Sequence, residues 1–340
     1  MKLVGLPKLD GLPCVNEDAR LPQRVMSLQG TKMETSRLSP PLTAARAARG
    51  SGLAAVVESL RIGQWVKNGF VFAALIFSRG LTNGQRDARV LAAALIFCLV
   101  SSAVYLINDI MDADEDRRHP LKCLRPIASG RLSVRAATVM AALLTLTGMV
   151  GAWVLDRWFF GVVAVFLTVN LLYSTLLKRV MLVDVFMIAA GFVLRVLGGA
   201  VVIHVEVSSW LIACTTLLAL FLALAKRRHE LVLLKDDAAG HRAILAHYTP
   251  YFLDKLIGVV TASTVMSYTL YTLSEDVKTK FPGKRLELTI PFVLFGIFRY
   301  LYLIHRNEGS GNPTRLLFTD GVLLTVVVMW AAAVVLIIYI

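Results

Sequence analysis

The sequence predicts an all-α polytopic membrane protein built as a bundle of nine transmembrane helices. Of its 340 residues, 56% are hydrophobic and only 17% are charged, and the mean hydropathy is +0.66. An average soluble domain is about 45–50% apolar and about 25% charged. This composition excludes a disordered chain and an ordinary soluble enzyme. The four cysteines form no CxxC pair, which argues against a disulfide scaffold or a zinc-thiolate site.

Apolar segments long enough to cross a bilayer, which takes about 20 residues, recur from Leu60 onward. The nine predicted spans are 62–79, 88–107, 134–155, 158–177, 181–203, 209–225, 250–272, 288–305 and 317–339. Residues 1–52 lack an apolar run and are rich in Pro, Gly, Ser and Arg, so we expect a disordered basic N-terminal tail. The transmembrane catalytic domain is then predicted at 53–340.

The basic residues are distributed unevenly between the two sides of the predicted bundle. The loops after spans two, four, six and eight, counted with the adjoining ends of the spans, contain sixteen Lys or Arg, against eight for the other loops counted in the same way. Positive charge is retained on the cytoplasmic side, so we expect a cytoplasmic N-terminus and an outside C-terminus in the cell (inner) membrane. Part of the net charge of +13 therefore reflects the basic tail and part reflects the topology, so a nucleic-acid partner is not required.

An acidic cluster follows the second span, where Asp109, Asp112 and Asp116 are spaced i, i+3 and i+7. At about 100° per residue, a continuing helix would present all three on one face. Grouped carboxylates near a membrane need positive charge among them, and Mg²⁺, with Mn²⁺ as an alternative, suits such oxygen ligands. The other interpretation is a solvated acidic loop, neutralised by basic residues of the same loop. Those residues are Arg117, Arg118 and Lys122.

Two further groups of charges lie at or inside the predicted spans. Lys178 and Arg179 follow span four, where anchoring at the cytoplasmic surface would also explain them. Asp184 and Arg195 share one face of span five at a separation of about 16 Å. Because Arg195 lies well inside the span, it needs a partner or a wet cavity.

A basic segment, Lys226-Arg227-Arg228-His229-Glu230, follows span six. Each of its side chains could simply extend to the membrane surface. Together with carboxylates that hold Mg²⁺, however, these cations form a plausible diphosphate site. The sequence contains no GxxxxGK[ST] loop, no GxGxxG after a strand and no GxSxG motif.

The segment Asn108-Asp109-x-x-Asp112-x-x-x-Asp116 resembles the NDxxDxxxD motif of the UbiA-type intramembrane prenyltransferase superfamily, whose fold is a nine-helix bundle. The longer string NDIMDADEDRRHPLKCLRPIASG, with RIGQWVKN, YSTLLK and DVFMIAAGFVLR, is similar to the branch of polyprenyl-phosphate phosphoribosyltransferases. The resemblance covers about residues 58–340. Aromatic prenyltransferases of the superfamily carry a second acidic cluster between spans six and seven. Here that loop contains only the adjacent Asp236 and Asp237.

The resemblance implies Mg²⁺-dependent transfer of 5-phosphoribosyl from phosphoribosyl pyrophosphate (PRPP) to a decaprenyl-type polyprenyl phosphate, a step towards the arabinose donor for cell-wall polysaccharide. It implies that Asp109, Asp112 and Asp116 hold the metal while Asn108 orients the ribose or a metal ligand. The residues it implies for substrate and phosphate contacts are Lys67, Arg118, Lys122, Arg125, Tyr173, Lys178, Asp184, Arg195 and Arg228. The nucleophile is an anionic phosphate oxygen, so no strong general base is required.

Two other functions stay open at this point. One is transfer of a prenyl group from a prenyl diphosphate to an aromatic acceptor, against which the missing second acidic cluster argues. The other is a transporter or channel with an acidic cytoplasmic mouth, although no clear repeat of two halves is evident. The lipid bilayer is the expected surrounding, and a homo-oligomer is left open.

Overall fold

A computed structural model describes residues 52–81, 83–118, 122–234, 248–306 and 313–340, and within these ranges the chain is helical and contains no strand. The α-helices are α1 (Gly52–Leu60), α2 (Ala73–Phe77), α3 (Gly84–Met111), α4 (Ala113–Arg118), α5 (Val134–Leu155), α6 (Arg157–Thr175), α7 (Val183–Val202), α8 (Ser209–Leu234), α9 (Pro250–Leu273), α10 (Glu275–Lys280), α11 (Ile290–Arg306), α12 (Pro313–Thr319) and α13 (Gly321–Tyr339). An eleven-residue 3-10 helix occurs at Ile62–Phe72, and shorter ones occur at Lys122–Leu124, Leu177–Arg179 and Leu286–Thr289. The predicted tail lies outside the described residues except for Gly52.

Eight helices of the described chain are long and apolar enough to cross a membrane. They confirm the predicted spans two to nine, and α5 has the predicted bounds of 134–155. The largest difference is at α8, which continues to Leu234 although the predicted span ends at 225. The sequence suggested an end there because charged residues begin at Lys226, but Arg227 is fully buried and paired inside the protein. The chain is a multi-pass membrane protein.

The first predicted span, 62–79, is wrong as a continuous α-helix, so the count of nine is not confirmed. Its residues form the 3-10 helix Ile62–Phe72 followed by the five-residue α2. The 3-10 segment buries the polar Asn68, whose amide bonds to the Cys98 thiol and accepts from Arg195. Hydropathy alone predicts a lipid-facing span here, whereas the segment is held by polar contacts within the protein.

The described chain divides into two compact units. One contains residues up to Arg61 together with Tyr105–Met140, and the other contains Ile62–Val104 and Ala141–Ile340. In the second unit Phe97 packs edge-on against Phe159 and Phe166, with ring centroids 5.6 and 5.3 Å apart. A further core of the same unit is formed by buried residues of α7, α8, α9 and α11. These cores position the polar networks of the second unit that are described below.

One face of α5 exposes large apolar residues at helical spacing. The exposed residues of this stripe in the second unit are Leu143, Leu146, Val150 and Trp153. A soluble protein rarely leaves such a continuous apolar stripe in contact with water. The stripe is what a bilayer-facing helix requires, because lipid tails solvate apolar side chains.

Gly199 of α7 allows close approach of the 3-10 segment, and its replacement should destabilise the fold. A Cβ at this position would lie 1.9 Å from the carbonyl oxygen of Val71. We expect Gly199→Ala to reduce stability by about 1–3 kcal/mol, because the backbone must move. The matched control is Gly161→Ala in α6, where no atom lies within 4 Å, and where alanine stabilises a helix by up to about 1 kcal/mol. Thermal unfolding in detergent measures both, and equal melting temperatures for the two variants would contradict this packing.

Candidate active site

The acidic cluster lies where α3 ends and α4 begins. The Asp112 N–H donates to the Asn108 carbonyl at 2.9 Å, and the Asp116 N–H donates to the Asp112 carbonyl at 2.8 Å. These two i to i+4 bonds continue the helical path across the break at Asp112. Asp109 and Asp116 are each only 3% exposed, whereas Asp112 and Asn108 are half-buried. The one-face arrangement expected from the spacing therefore brings two of the three carboxylates into the interior of their unit.

Arg125 joins the two buried carboxylates. Its Nη1 donates to Asp116 Oδ2 at 2.6 Å and to Asp109 Oδ1 at 3.1 Å. Arg61 donates to the same Asp109 oxygen at 2.5 Å, and its guanidinium lies over the Tyr105 ring. The expectation that positive charge must sit among these carboxylates is met by two arginines, of which Arg61 was not predicted as a site residue. The sequence feature that could have indicated Arg61 is its place at the start of the string RIGQWVKN.

Burial sets the electrostatics of Asp116. Desolvation raises the pKa of this carboxyl above its usual range, while the Arg125 hydrogen bond and the charges of Arg125 and Lys122 act in the opposite direction. The negative charge of Asp109 adds a small upward contribution. The two carboxylates thus repel each other at a poorly solvated position, and such a pair gains from a cation. Arg118 of the same region is exposed.

The donor set of the cluster suits a hard divalent cation. In the part of the chain that the structure describes, no three His, Cys, Asp or Glu side chains are arranged to hold an ion by themselves. Mg²⁺ usually takes only one or two carboxylates and completes its shell with water and substrate phosphates. Asp109 and Asp116, which converge on one Arg125 nitrogen, supply that number. The residues present therefore fit such an ion, with Asp112 and Asn108 as neighbouring oxygen donors.

The second unit contains a separate buried network around Arg227, which sequence reasoning did not select. Its Nε donates to Asp184 Oδ2 at 2.6 Å and its Nη2 to the Tyr173 hydroxyl at 3.1 Å. The Tyr248 hydroxyl donates to the other Asp184 oxygen at 3.0 Å. Asp184 is fully buried with an internal partner at each oxygen, and its contact with substrate stays a prediction. The only sequence signal for Arg227 was its place in the basic segment after span six.

Arg195 has the partners that its depth in the span requires. Its Nε donates to Asn68 Oδ1 and its Nη1 to the Gly191 carbonyl, each at 2.7 Å, and its Nη2 donates to Ser101 at 3.3 Å. The guanidinium also lies 4.7 Å from the Phe166 ring centroid. Arg195 does not pair with Asp184, which binds Arg227 instead. The expectation of a partner for Arg195 is confirmed, while its contact with phosphate stays a prediction.

The remaining predicted contact residues of the second unit are placed as follows. Arg228 donates to both carboxylate oxygens of Asp254, at 2.5 and 3.4 Å. Lys178 lies half-buried in the 3-10 turn after α6. Lys67 is also half-buried, and its positive charge repels that of Lys226. Their contacts with substrate stay predictions. Asp236 and Asp237 lie outside the described residues.

Comparison with known proteins now identifies the chain. The sequence pattern of the UbiA prenyltransferase family matches residues 69–322. The chain belongs to the UbiA prenyltransferase family. As a UbiA-family protein it is a membrane-embedded transferase, which confirms the resemblance inferred from the acidic motif.

Named relatives and a solved structure are similar over most of this UbiA-family chain. The decaprenyl-phosphate phosphoribosyltransferase of Corynebacterium glutamicum is 32% identical over 291 residues, which cover 84% of this chain and 87% of that protein. The enzyme of the same name from Mycobacterium tuberculosis is 31% identical over 289 residues, 83% of this chain and 93% of its own. A UbiA homolog from Archaeoglobus fulgidus, solved bound to GPP and Mg²⁺, superposes with a TM-score of 0.64 at 18% identity. The superposition covers 84% of this chain and 100% of the Archaeoglobus fulgidus chain, which confirms the UbiA fold.

The Asp184–Arg227 pair of this UbiA-family fold should be costly to break from one side. Arg227→Met leaves the Asp184 carboxylate buried without its cationic partner, and we expect a loss of about 3–5 kcal/mol in unfolding free energy. The double variant Asp184→Asn with Arg227→Met removes the uncompensated charge and should recover much of that loss. Arg117→Met, which breaks only the exposed pair with Asp114, is the matched control and should change little. Thermal unfolding in detergent measures the stability of the three variants. A double variant less stable than Arg227→Met would contradict the pairing.

Proposed function

We propose that the chain transfers 5-phosphoribosyl from PRPP to a polyprenyl phosphate of the decaprenyl type and releases pyrophosphate. The observation that carries this proposal is the convergence of Asp109 and Asp116 on Arg125 within the motif that resembles the family's metal site. Relatives named decaprenyl-phosphate phosphoribosyltransferase, about 30% identical over most of the chain, support the choice of reaction.

On the donor side, Asp109 and Asp116, with Asp112 and Asn108 beside them, hold a divalent cation, Mg²⁺ by preference. Solved UbiA homologs from Archaeoglobus fulgidus were bound to Mg²⁺ or to Cd²⁺, which supports a divalent ion here. When bound, the ion supplies charge neutralisation for the pyrophosphate leaving group. Arg125 is about one-quarter exposed, so its guanidinium can exchange a carboxylate oxygen for a phosphate oxygen of the donor. Lys122 and Arg118 add phosphate contacts in the same unit.

On the acceptor side, an anionic oxygen of the polyprenyl phosphate attacks the anomeric carbon of the donor. The new bond joins that oxygen to the anomeric carbon, and the bond from this carbon to the pyrophosphate oxygen breaks. The transition state has oxocarbenium character, as in other glycosyl transfers. Because the nucleophile is already anionic, the reaction requires electrostatic stabilisation rather than a general base. We propose Lys67, Tyr173, Lys178, Arg195 and Arg228 as phosphate contacts, with Asp184 supporting them through Arg227.

The setting of this reaction is the cell (inner) membrane, with the acidic cluster on the cytoplasmic side where PRPP is available. The sixteen-to-eight distribution of Lys and Arg between the two sets of predicted loops, counted with the adjoining span ends, supports this orientation. The product would then serve as a precursor of the arabinose donor for cell-wall polysaccharide.

Removal of either buried carboxylate should abolish most of the activity. We expect Asp109→Asn and Asp116→Asn to lower kcat by about a hundredfold or more, because each variant loses a carboxylate that would hold the divalent cation, and with it the positive charge that stabilises the leaving pyrophosphate. Pyrophosphate release from PRPP in the presence of polyprenyl phosphate and Mg²⁺ measures the rate, and a chelator should suppress it in the wild type. Asp114→Asn is the matched control, because Asp114 is an exposed carboxylate on the same short helix. Near-wild-type activity in Asp109→Asn or Asp116→Asn would reject the metal-site assignment.

The lipid product distinguishes the proposed reaction from prenyl transfer. After incubation with PRPP and polyprenyl phosphates of several lengths, mass spectrometry should detect a lipid heavier by one phosphoribosyl unit. A parallel incubation with a prenyl diphosphate and aromatic acceptors should give no prenylated product. A prenylated aromatic product without any phosphoribosylated lipid would replace the proposed function by the alternative one.

A further inference from the structure

The connection between α6 and α7, residues 176–182, carries Lys178 and is held at both ends. It contains the 3-10 turn Leu177–Arg179 and reaches α7 through Leu182. Leu182 has a backbone φ of +66°, in the left-handed region that residues other than glycine seldom adopt. Such a residue persists only when its surroundings fix it. The contacts that fix it come from two residues, Arg227 and Tyr248, that lie far from it in the sequence.

Arg227 bonds to the helix before the connection and to the helix after it. One guanidinium donates to Tyr173, near the end of α6, and to Asp184, in the first turn of α7. A third bond, to Glu230 at 2.5 Å, orients the group from its own helix. With 1% of its side chain exposed, Arg227 is shielded from solvent, so these bonds are not in competition with water. The separation of the two ends of the connection is therefore set by a single planar group.

Tyr248 fixes the strained residue directly. Its hydroxyl accepts from the Leu182 N–H at 2.9 Å and donates to Asp184 Oδ1 at 3.0 Å. Burial raises the pKa of Tyr248 to about 12, so the hydroxyl stays neutral and keeps its proton for Asp184 at physiological pH. Tyr248 thereby satisfies a backbone donor at the start of α7 and the second oxygen of the carboxylate that Arg227 holds.

We infer that Arg227 and Tyr248 are positioning residues, which clamp the 176–182 connection and so place Lys178 for contact with a substrate phosphate group. The inference rests on the proposed function, because Lys178 is the phosphate contact that the clamp serves. Neither clamp residue needs to touch substrate, since Arg227 is fully buried and Tyr248 is 3% exposed. The phosphate could belong to PRPP or to the polyprenyl phosphate, and measurement of KM for each substrate distinguishes the two.

The first test measures the clamp itself and needs no activity. Tyr248→Phe deletes only the hydroxyl, and we expect hydrogen–deuterium exchange across residues 176–182 to become about tenfold faster, the effect of one lost hydrogen bond. Tyr300→Phe is the matched control, because Tyr300 is similarly buried in α11 and lies elsewhere in the fold. It should leave exchange in this segment unchanged. Equal exchange in Tyr248→Phe and wild type would overturn the proposal whatever reaction the enzyme catalyses.

The second test links the clamp to Lys178. We expect Tyr248→Phe to raise KM about tenfold for one of the two phosphate substrates while kcat stays within about twofold, and Tyr300→Phe to change neither. In a Lys178→Met background the same substitution should have no further effect on KM, because the clamp acts through Lys178. Faster exchange with unchanged KM, or additive effects of Tyr248→Phe and Lys178→Met, would overturn the positioning role. If the wild type releases no pyrophosphate from PRPP, the proposed function fails, and the exchange measurement still decides whether the clamp exists.

Discussion

The pairing of buried carboxylates with arginine is the interaction on which the polar architecture of this protein depends. Asp109 and Asp116 share Arg125 in one unit, and Asp184 binds Arg227 in the other. A carboxylate that leaves water for the interior loses hydration that only a nearby cation and further hydrogen bonds can replace. The planar guanidinium suits this task, because its donors reach two acceptors at once and it stays charged when buried.

These pairs also explain the course of the chain around them. Because Arg227 is neutralised inside the protein, α8 can continue as a helix through its charged segment to Leu234. Because Tyr173 and Asp184 bind the same guanidinium, the short connection between α6 and α7 keeps a fixed span and tolerates a left-handed Leu182. The acidic cluster follows the same rule, since Arg61 and Arg125 bind Asp109 from positions on either side of it in the sequence.

Hydropathy and charge spacing predicted most of the fold and part of the site. Long apolar runs predicted spans two to nine, because a bilayer-crossing helix needs only length and low charge. The prediction of the first span was wrong, because Asn68 is buried by contacts with Cys98 and Arg195. These partners lie in other segments, so the hydropathy of residues 62–79 does not reveal them. The same limit applies to Arg227, whose partners Tyr173 and Asp184 are distant in sequence, so no local pattern marks it. The spacing of the three aspartates, by contrast, is local, and the convergence of Asp109 and Asp116 could be anticipated from it.

Solvent exposure separates the arginines that bind the buried carboxylates into two kinds. Arg61 and Arg125 are about one-quarter exposed, whereas Arg227 is almost completely buried and binds the Asp184 carboxylate. A guanidinium that solvent can reach can exchange one acceptor for an incoming phosphate at little cost, because its charge stays hydrated during the exchange. The buried Arg227 guanidinium cannot do so without leaving the Asp184 carboxylate unpaired. We therefore propose ligand binding for Arg125 and a positioning role for Arg227, two roles that differ in the burial of the guanidinium and not in the type of residue.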